Sequence, residues 1–192
     1  LFDNKRLYSF KQLLVNINHT EFIDDYVDND FDLGSYSRVA SYYSSRHIFF
    51  LNSYSYPVCK NWLKIIIDNY ENNSILATSA SYESLLSSIK LKKFYKLIGY
   101  LIKLFKYKKN FYPFPNPHIR TTGFFIKGSQ YSLFMNDKSI KSKIDAWKIE
   151  SGKDSLTNFF KKLNFNIYII NSDGEKFSEN KWKESQTYNY LN

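Results

Sequence analysis

Three prolines in five positions, Pro113, Pro115 and Pro117, lead straight into His118, Arg120 and Thr121. Each proline fixes its own φ and restricts the residue before it, so this segment is expected to be rigid and extended. A rigid lead-in would hold an imidazole and a guanidinium at a fixed place, just ahead of the apolar run from Gly123 to Ile126. The chemistry on offer is ligand binding, because α/β folds build their sites from polar groups at the mouths of strands. A stiff surface connection bearing two solvated side chains is compatible with the same residues.

Other polar residues fall at the ends of predicted strands: Asp3, Asp32, Asn52, Glu83 and Glu150. Each also has a plainer reading. Asp3 and Asn52 suit turns, Arg120 suits an ion pair with a structural carboxylate, and Glu150 suits a helix start stabilised by the helix dipole. Several chemistries are excluded. The chain contains no GxGxxG or GxxxxGK[ST] phosphate loop and no GxSxG nucleophile elbow. Its three histidines are scattered and Cys59 is its one cysteine, so neither a zinc cluster nor an internal disulfide is available.

Which elements would position these residues? Continuous apolar runs predict strands at 47–51 (HIFFL), 75–78, 123–126 and 165–170, with a shorter strand at 21–27 and a strand end at Leu1 and Phe2. Helical spacing predicts helices at 8–17 and 62–70, the second with Leu63, Ile66 and Ile67 on one face. A helix over 35–44 is expected to be entered through Gly34 and capped by Ser35. Ser172, Asp173 and Gly174 should turn the chain out of the last strand. Strands alternating with helices favour an α/β layer fold with a largely parallel, open sheet and its ligand at the carboxyl ends of the strands. At 192 residues, with 43% hydrophobic and 23% charged residues, the chain can bury one well-formed core. No leader segment and no stretch long enough to span a membrane is expected.

The net charge of +9 is concentrated in one segment. Ten basic residues and no acidic ones lie between Ser84 and Asn136, which leaves 27 − 10 = 17 basic against 18 acidic elsewhere. Such a patch attracts phosphates, nucleic acid or an anionic membrane surface. Eight of the lysines lie between Lys90 and Lys109, interleaved with Leu91, Phe94, Leu97, Ile98, Leu101, Ile102 and Phe105 at helical spacing. That pattern fits either an interfacial helix on a membrane or an ordinary docking helix with its lysines in water.

The order of the segments carries a resemblance. HIFFLNSYSYPVCKNWL resembles the strand, loop and helix of inverting glycosyltransferases with the GT-A nucleotide-diphosphosugar fold, in which the strand ends at the sugar-nucleotide site. DNDFDLGSYSRVASYYSS is similar to the segment preceding that strand, and LFDNK to the strand end that faces the nucleotide base. FPNPHIRTTGFFI stands where those enzymes line the acceptor side, and IESGKDSLTNFFKKLNFNIYII resembles their carboxylate-led helix and following strand. Together FDLGSY, FLNSYS, SYESL, PFPNPHIRT and ESGKDSLT look like a family-2-like bacterial branch that builds polysaccharides. The resemblance covers nearly the whole chain, to about Tyr188.

The resemblance implies a Rossmann-like GT-A fold, with a mostly parallel sheet and helices on both faces. Residues 1–192 would form one domain that lacks the first strand of that fold. It implies transfer of a sugar from a nucleotide-sugar donor to a glycan or surface-polysaccharide acceptor. Asp3, Asp32, Arg38, Asn52 and Ser53 would bind the donor, His118, Arg120 and Thr121 the acceptor, and Glu150 would be the general base. Two positions depart from the pattern. The usual metal-binding Asp falls at Tyr54 or Ser55, which casts doubt on a Mg or Mn cofactor, and the second carboxylate of the catalytic pair is Ser151. A catalytically silent relative that binds nucleotide sugar or glycan is the alternative. Nucleic acid is not an expected partner. A cytoplasmic location is expected, at the inner face of the membrane if the basic helix touches anionic lipid.

Overall fold

Adjacent phenylalanines in two of the apolar runs, Phe49-Phe50 and Phe124-Phe125, require burial on both faces, because neighbouring side chains of a strand point to opposite sides. A computed structural model, which describes residues 4–26, 28–91 and 93–189, places the two runs side by side. β1 (His47–Leu51) pairs antiparallel with β5 (Gly123–Lys127), Phe49 opposite Phe125 and Phe50 opposite Phe124. β2 (Ser74–Ala77) pairs antiparallel with β5 and parallel with β6 (Asn166–Ile170), and β7 (Lys176–Ser178) closes the sheet antiparallel to β6. The strand order is β1-β5-β2-β6-β7.

The protein is therefore α/β, but its main sheet is mixed rather than mostly parallel. β1, β2 and β6 share one direction, while β5 and β7 oppose it. A run such as GFFIK, buried on both sides, reads the same in either direction, so its pattern could not reveal its orientation. β5 enters the sheet from a second, smaller one, in which β4 (His118–Ile119) pairs with β3 (Ala80–Ser81) and β3 with β8 (Tyr188–Asn189). The lead-in to β4 is not fully extended: it bends at Phe114-Pro115, where the peptide bond is cis.

Period-two alternation sorts the sheet's side chains into two cores. Phe50, Ile75, Ala77, Phe124, Ile167 and Ile169 face the larger core. It is covered by α2 (Phe31–Tyr42), α5 (Gly128–Met135), α6 (Lys143–Ser151) and α7 (Leu156–Lys162). On the other face Leu76, Phe125 and Ile170 pack with Trp62, Ile65 and Ile66 of α3 (Trp62–Asn69). Helices thus lie on both faces. The inward face of α3 differs from the expected one, since Leu63 and Ile67 are exposed.

Three further expectations are corrected. α1 runs from Asn4–Leu14, and residues 21–26 form no strand. α2 starts four residues earlier than expected, so Gly34 lies in its first turn and Ser35 does not cap it. Ser35 instead donates its hydroxyl to Asp24 (2.7 Å). The basic segment is helical only from Phe94, through a short 3-10 turn (Phe94–Lys96) and α4 (Leu97–Asn110). No helix among the described residues is long and apolar enough to cross a membrane.

α2 is seated on the start of α5 at a single glycine. A Cβ on Gly128 would lie 2.5 Å from the carbonyl oxygen of Tyr43 and 2.8 Å from that of Ala40, both backbone atoms that no rotamer can move aside. The Gly128 amide donates to Arg46 O (2.8 Å) and the Ser129 amide to Ser44 O (2.8 Å), which fixes this approach. Gly128→Ala is therefore expected to destabilise the fold by about 1–3 kcal/mol through overpacking. Chemical denaturation should show it as a lower midpoint with an unchanged slope.

Candidate functional site

At the carboxyl end of β1 a cleft of about 190 Å³ opens between α2 and α6. α6 forms one wall. Ser142 caps it by accepting the Asp145 amide, so the helix begins at Lys143. Lys143, Ala146, Trp147 and Glu150 follow at positions one, four, five and eight of the helix, a spacing that puts all four on one face, and all four line the cleft. The opposite wall is the start of α2, with Asp32, Leu33 and Tyr36. Asn52 and Thr121 complete the lining from the sheet edge.

Glu150 is fixed by Thr121. Its Oε1 accepts the Thr121 amide (3.1 Å) and the Thr121 hydroxyl (3.3 Å). Glu150 sits in the last turn of α6, not at a helix start, so the dipole reading of this residue is overturned. The negative end of the dipole disfavours a carboxylate there, and the two Thr121 donors offset that cost. Asn52 closes a turn, its side-chain oxygen accepting the Tyr54 amide (3.2 Å), and it borders the cleft as well. The Tyr36 hydroxyl is buried without a hydrogen-bond partner. Burial and then the nearby charge of Asp32 hold it protonated far above the usual phenol range. An unpartnered buried hydroxyl is costly to stability.

Four of the nine sequence-predicted site residues thus meet in one place: Asp32, Asn52, Thr121 and Glu150. The other five do not line this cleft. Asp3 lies outside the described residues. Arg38 is occupied, donating to Asp24 (2.6 and 2.5 Å) and to Asp30 (2.6 and 3.2 Å) while it lies 4.5 Å from the Tyr26 ring centre. This double pair holds Asp24 down to about 2 and raises the Arg38 guanidinium. Arg38 therefore secures the segment ahead of α2. Ser53 is exposed in a turn outside the cleft, and Arg120 is exposed, with its amide donating to Ser79 O (3.0 Å).

His118 is buried rather than presented. Its Nδ1 donates to Asn116 O (2.7 Å), and burial, the dominant cause, pulls its pKa below the usual 6.5. The sign of the consequence follows from linkage. The stability contributed by the neutral imidazole is complete above 6.5 and is lost as the pH falls from 6.5 towards the lower folded value. The thermal midpoint is expected to drop as the pH falls from about 7 to about 5, and to drop less in His118→Gln, measured by circular dichroism.

Lys143, Trp147 and Tyr36 were not anticipated. The spacing of Lys143, Trp147 and Glu150, with Ser142 ahead of them, was a readable signal of one helix face. No group of three or more His, Cys, Asp or Glu among the described residues is placed to hold a metal ion. Beside Asn52, the residues Ser53, Tyr54 and Ser55 offer no carboxylate, and the carboxylates that border the cleft are Asp32 and Glu150. A second cleft of about 500 Å³ opens on the other face of the same sheet edge, with Tyr54, Tyr56, Trp62 and Thr122 among its lining. No family model, curated protein or solved structure matches this chain.

Proposed function

We propose that the protein is a glycosyltransferase of the nucleotide-sugar-dependent, GT-A-like kind, with Glu150 as its general base. One observation carries the reading: residues assigned to the site from four separate segments, Asp32, Asn52, Thr121 and Glu150, line a single cleft. Whole ligands commonly fill about 300–1,000 Å³. The smaller cleft, at about 190 Å³, is sized for a sugar ring and the attacking hydroxyl, with the nucleotide extending beyond it.

In this reading Glu150 takes the proton of an acceptor hydroxyl as its oxygen attacks the anomeric carbon. The bond from that carbon to the diphosphate oxygen breaks, and the nucleoside diphosphate leaves with the electron pair. Thr121 holds one carboxylate oxygen and leaves Oε2 for the proton. Lys143 and Trp147 line the same wall, with the Lys143 ammonium 5.4 Å from the Trp147 ring centre, so that wall carries both positive charge and an aromatic ring.

A second reading, a catalytically silent binding relative, is favoured by Ser151. It occupies the position of the second carboxylate, is buried, and donates to Trp147 O (3.1 Å). Calorimetry with UDP- and GDP-sugars, paired with an assay for release of nucleoside diphosphate, separates the readings. Binding with turnover supports the enzyme, and binding without turnover supports the silent relative. No binding of any nucleotide sugar overturns both.

A further inference from the structure

α4 has two apolar faces, and the protein covers one of them. Leu97, Tyr100, Leu104 and Tyr107 turn inward and are half-buried or buried. Phe94, Ile98, Ile102 and Phe105, at steps of four, four and three residues, form a second stripe that is 82, 75, 65 and 73% exposed. Lys96 of the preceding 3-10 turn and Lys103, Lys106, Lys108 and Lys109 of α4 are exposed, and none pairs with a carboxylate among the described residues. The sequence from Ser84 to Asn136 contains no Asp or Glu that could neutralise them.

The helix is held at its foot. Phe111 is fully buried and bridges to Gly152, the Lys153 amide donates to Asn110 O (2.9 Å), and Lys153 Nζ donates to Lys108 O (2.9 Å). The exposed stripe is therefore presented by an anchored element.

We propose that α4 docks the protein on an anionic lipid bilayer, lying in the plane of the interface. The apolar stripe would enter the boundary between headgroups and acyl chains while the lysines meet lipid phosphates. Nucleic acid would satisfy the lysines but leave two phenylalanines and two isoleucines in water. A second copy would bring the same lysines against each other. With 14 residues, α4 is about 21 Å long, too short to cross a hydrocarbon core of about 30 Å, so it lies on the bilayer and does not span it. The inference stands on α4 and the 3-10 turn that leads into it, and is independent of the reading of the cleft.

The test is flotation of the full chain with vesicles of phosphatidylcholine, with and without phosphatidylglycerol. Flotation is expected with the anionic vesicles only, and it should weaken as salt rises. Ile98→Asp with Ile102→Asp should abolish it with an unchanged circular dichroism spectrum. Lys103→Gln and Lys106→Gln should each lower the partition coefficient by about fivefold. Absence of flotation, or equal flotation with both kinds of vesicle, would overturn the proposal. So would undiminished flotation of the double aspartate variant, or light scattering showing a dimer that this variant dissociates. Retention of single-stranded RNA by the wild type, with no flotation, would reassign the face to nucleic acid.

Discussion

Glu150→Gln is expected to lower sugar transfer by about a hundred- to ten-thousand-fold while nucleotide-sugar affinity stays within about twofold. Glutamine keeps the length and the planar end of the side chain. Its amide oxygen can still accept both Thr121 donors, now 3.1 and 3.3 Å from Glu150 Oε1. What it loses is a group that can take a proton. A loss of rate without a loss of binding therefore isolates proton transfer from the shape of the cleft. Thr121→Val provides the graded comparison. It removes the hydroxyl but keeps the backbone amide, so the carboxylate keeps one donor and the rate should fall only several-fold. If the protein is the silent binding relative, neither variant has a rate to lose and calorimetry alone would register them.

Two of the residues of this site that are legible in the sequence sit at the ends of apolar runs. Asn52 closes HIFFL and Thr121 precedes GFFIK, so locating the strand located the residue. Asp32 and Glu150 came from the order of segments, and the cleft unites them with the other two. The engagement of Arg38 is not legible in the sequence because its partners stand 14 and 8 residues upstream, and Asp24 lies in a stretch with no regular structure. Local spacing cannot reveal that a guanidinium is already engaged. The burial of His118 is hidden for a similar reason, since β4 pairs with β3 and its Ile119 amide donates to Thr157 of α7, both distant in the chain. The direction of β5 is also non-local. Its residues are apolar on both faces, and only its neighbours decide which way it runs.

Phe124→Ala is expected to cost about 3–5 kcal/mol of stability and also to deform the cleft. Phe124 is fully buried on an interior strand of the sheet, opposite Phe50 of β1 and Ala77 of β2. Its ring centroid lies 5.1 Å from that of Phe50, 5.6 Å from Tyr131 and 6.2 Å from Tyr36. Removing it leaves a void walled by aromatic rings, which cannot collapse without moving at least one of them. Tyr36 is the partly buried flank of that cluster and a wall of the cleft, so the void and the site share a side chain. Phe125→Ala separates the two effects. Phe125 is its immediate neighbour in β5 but packs on the opposite face, against His47 (5.7 Å) and Tyr70 (5.3 Å). That variant should also unfold at lower denaturant, yet its folded fraction should bind nucleotide sugar with wild-type affinity. Phe124→Ala should bind more weakly even where it is fully folded. Equal affinities for the two variants, measured below their unfolding transitions, would break the link drawn between the aromatic core and the cleft.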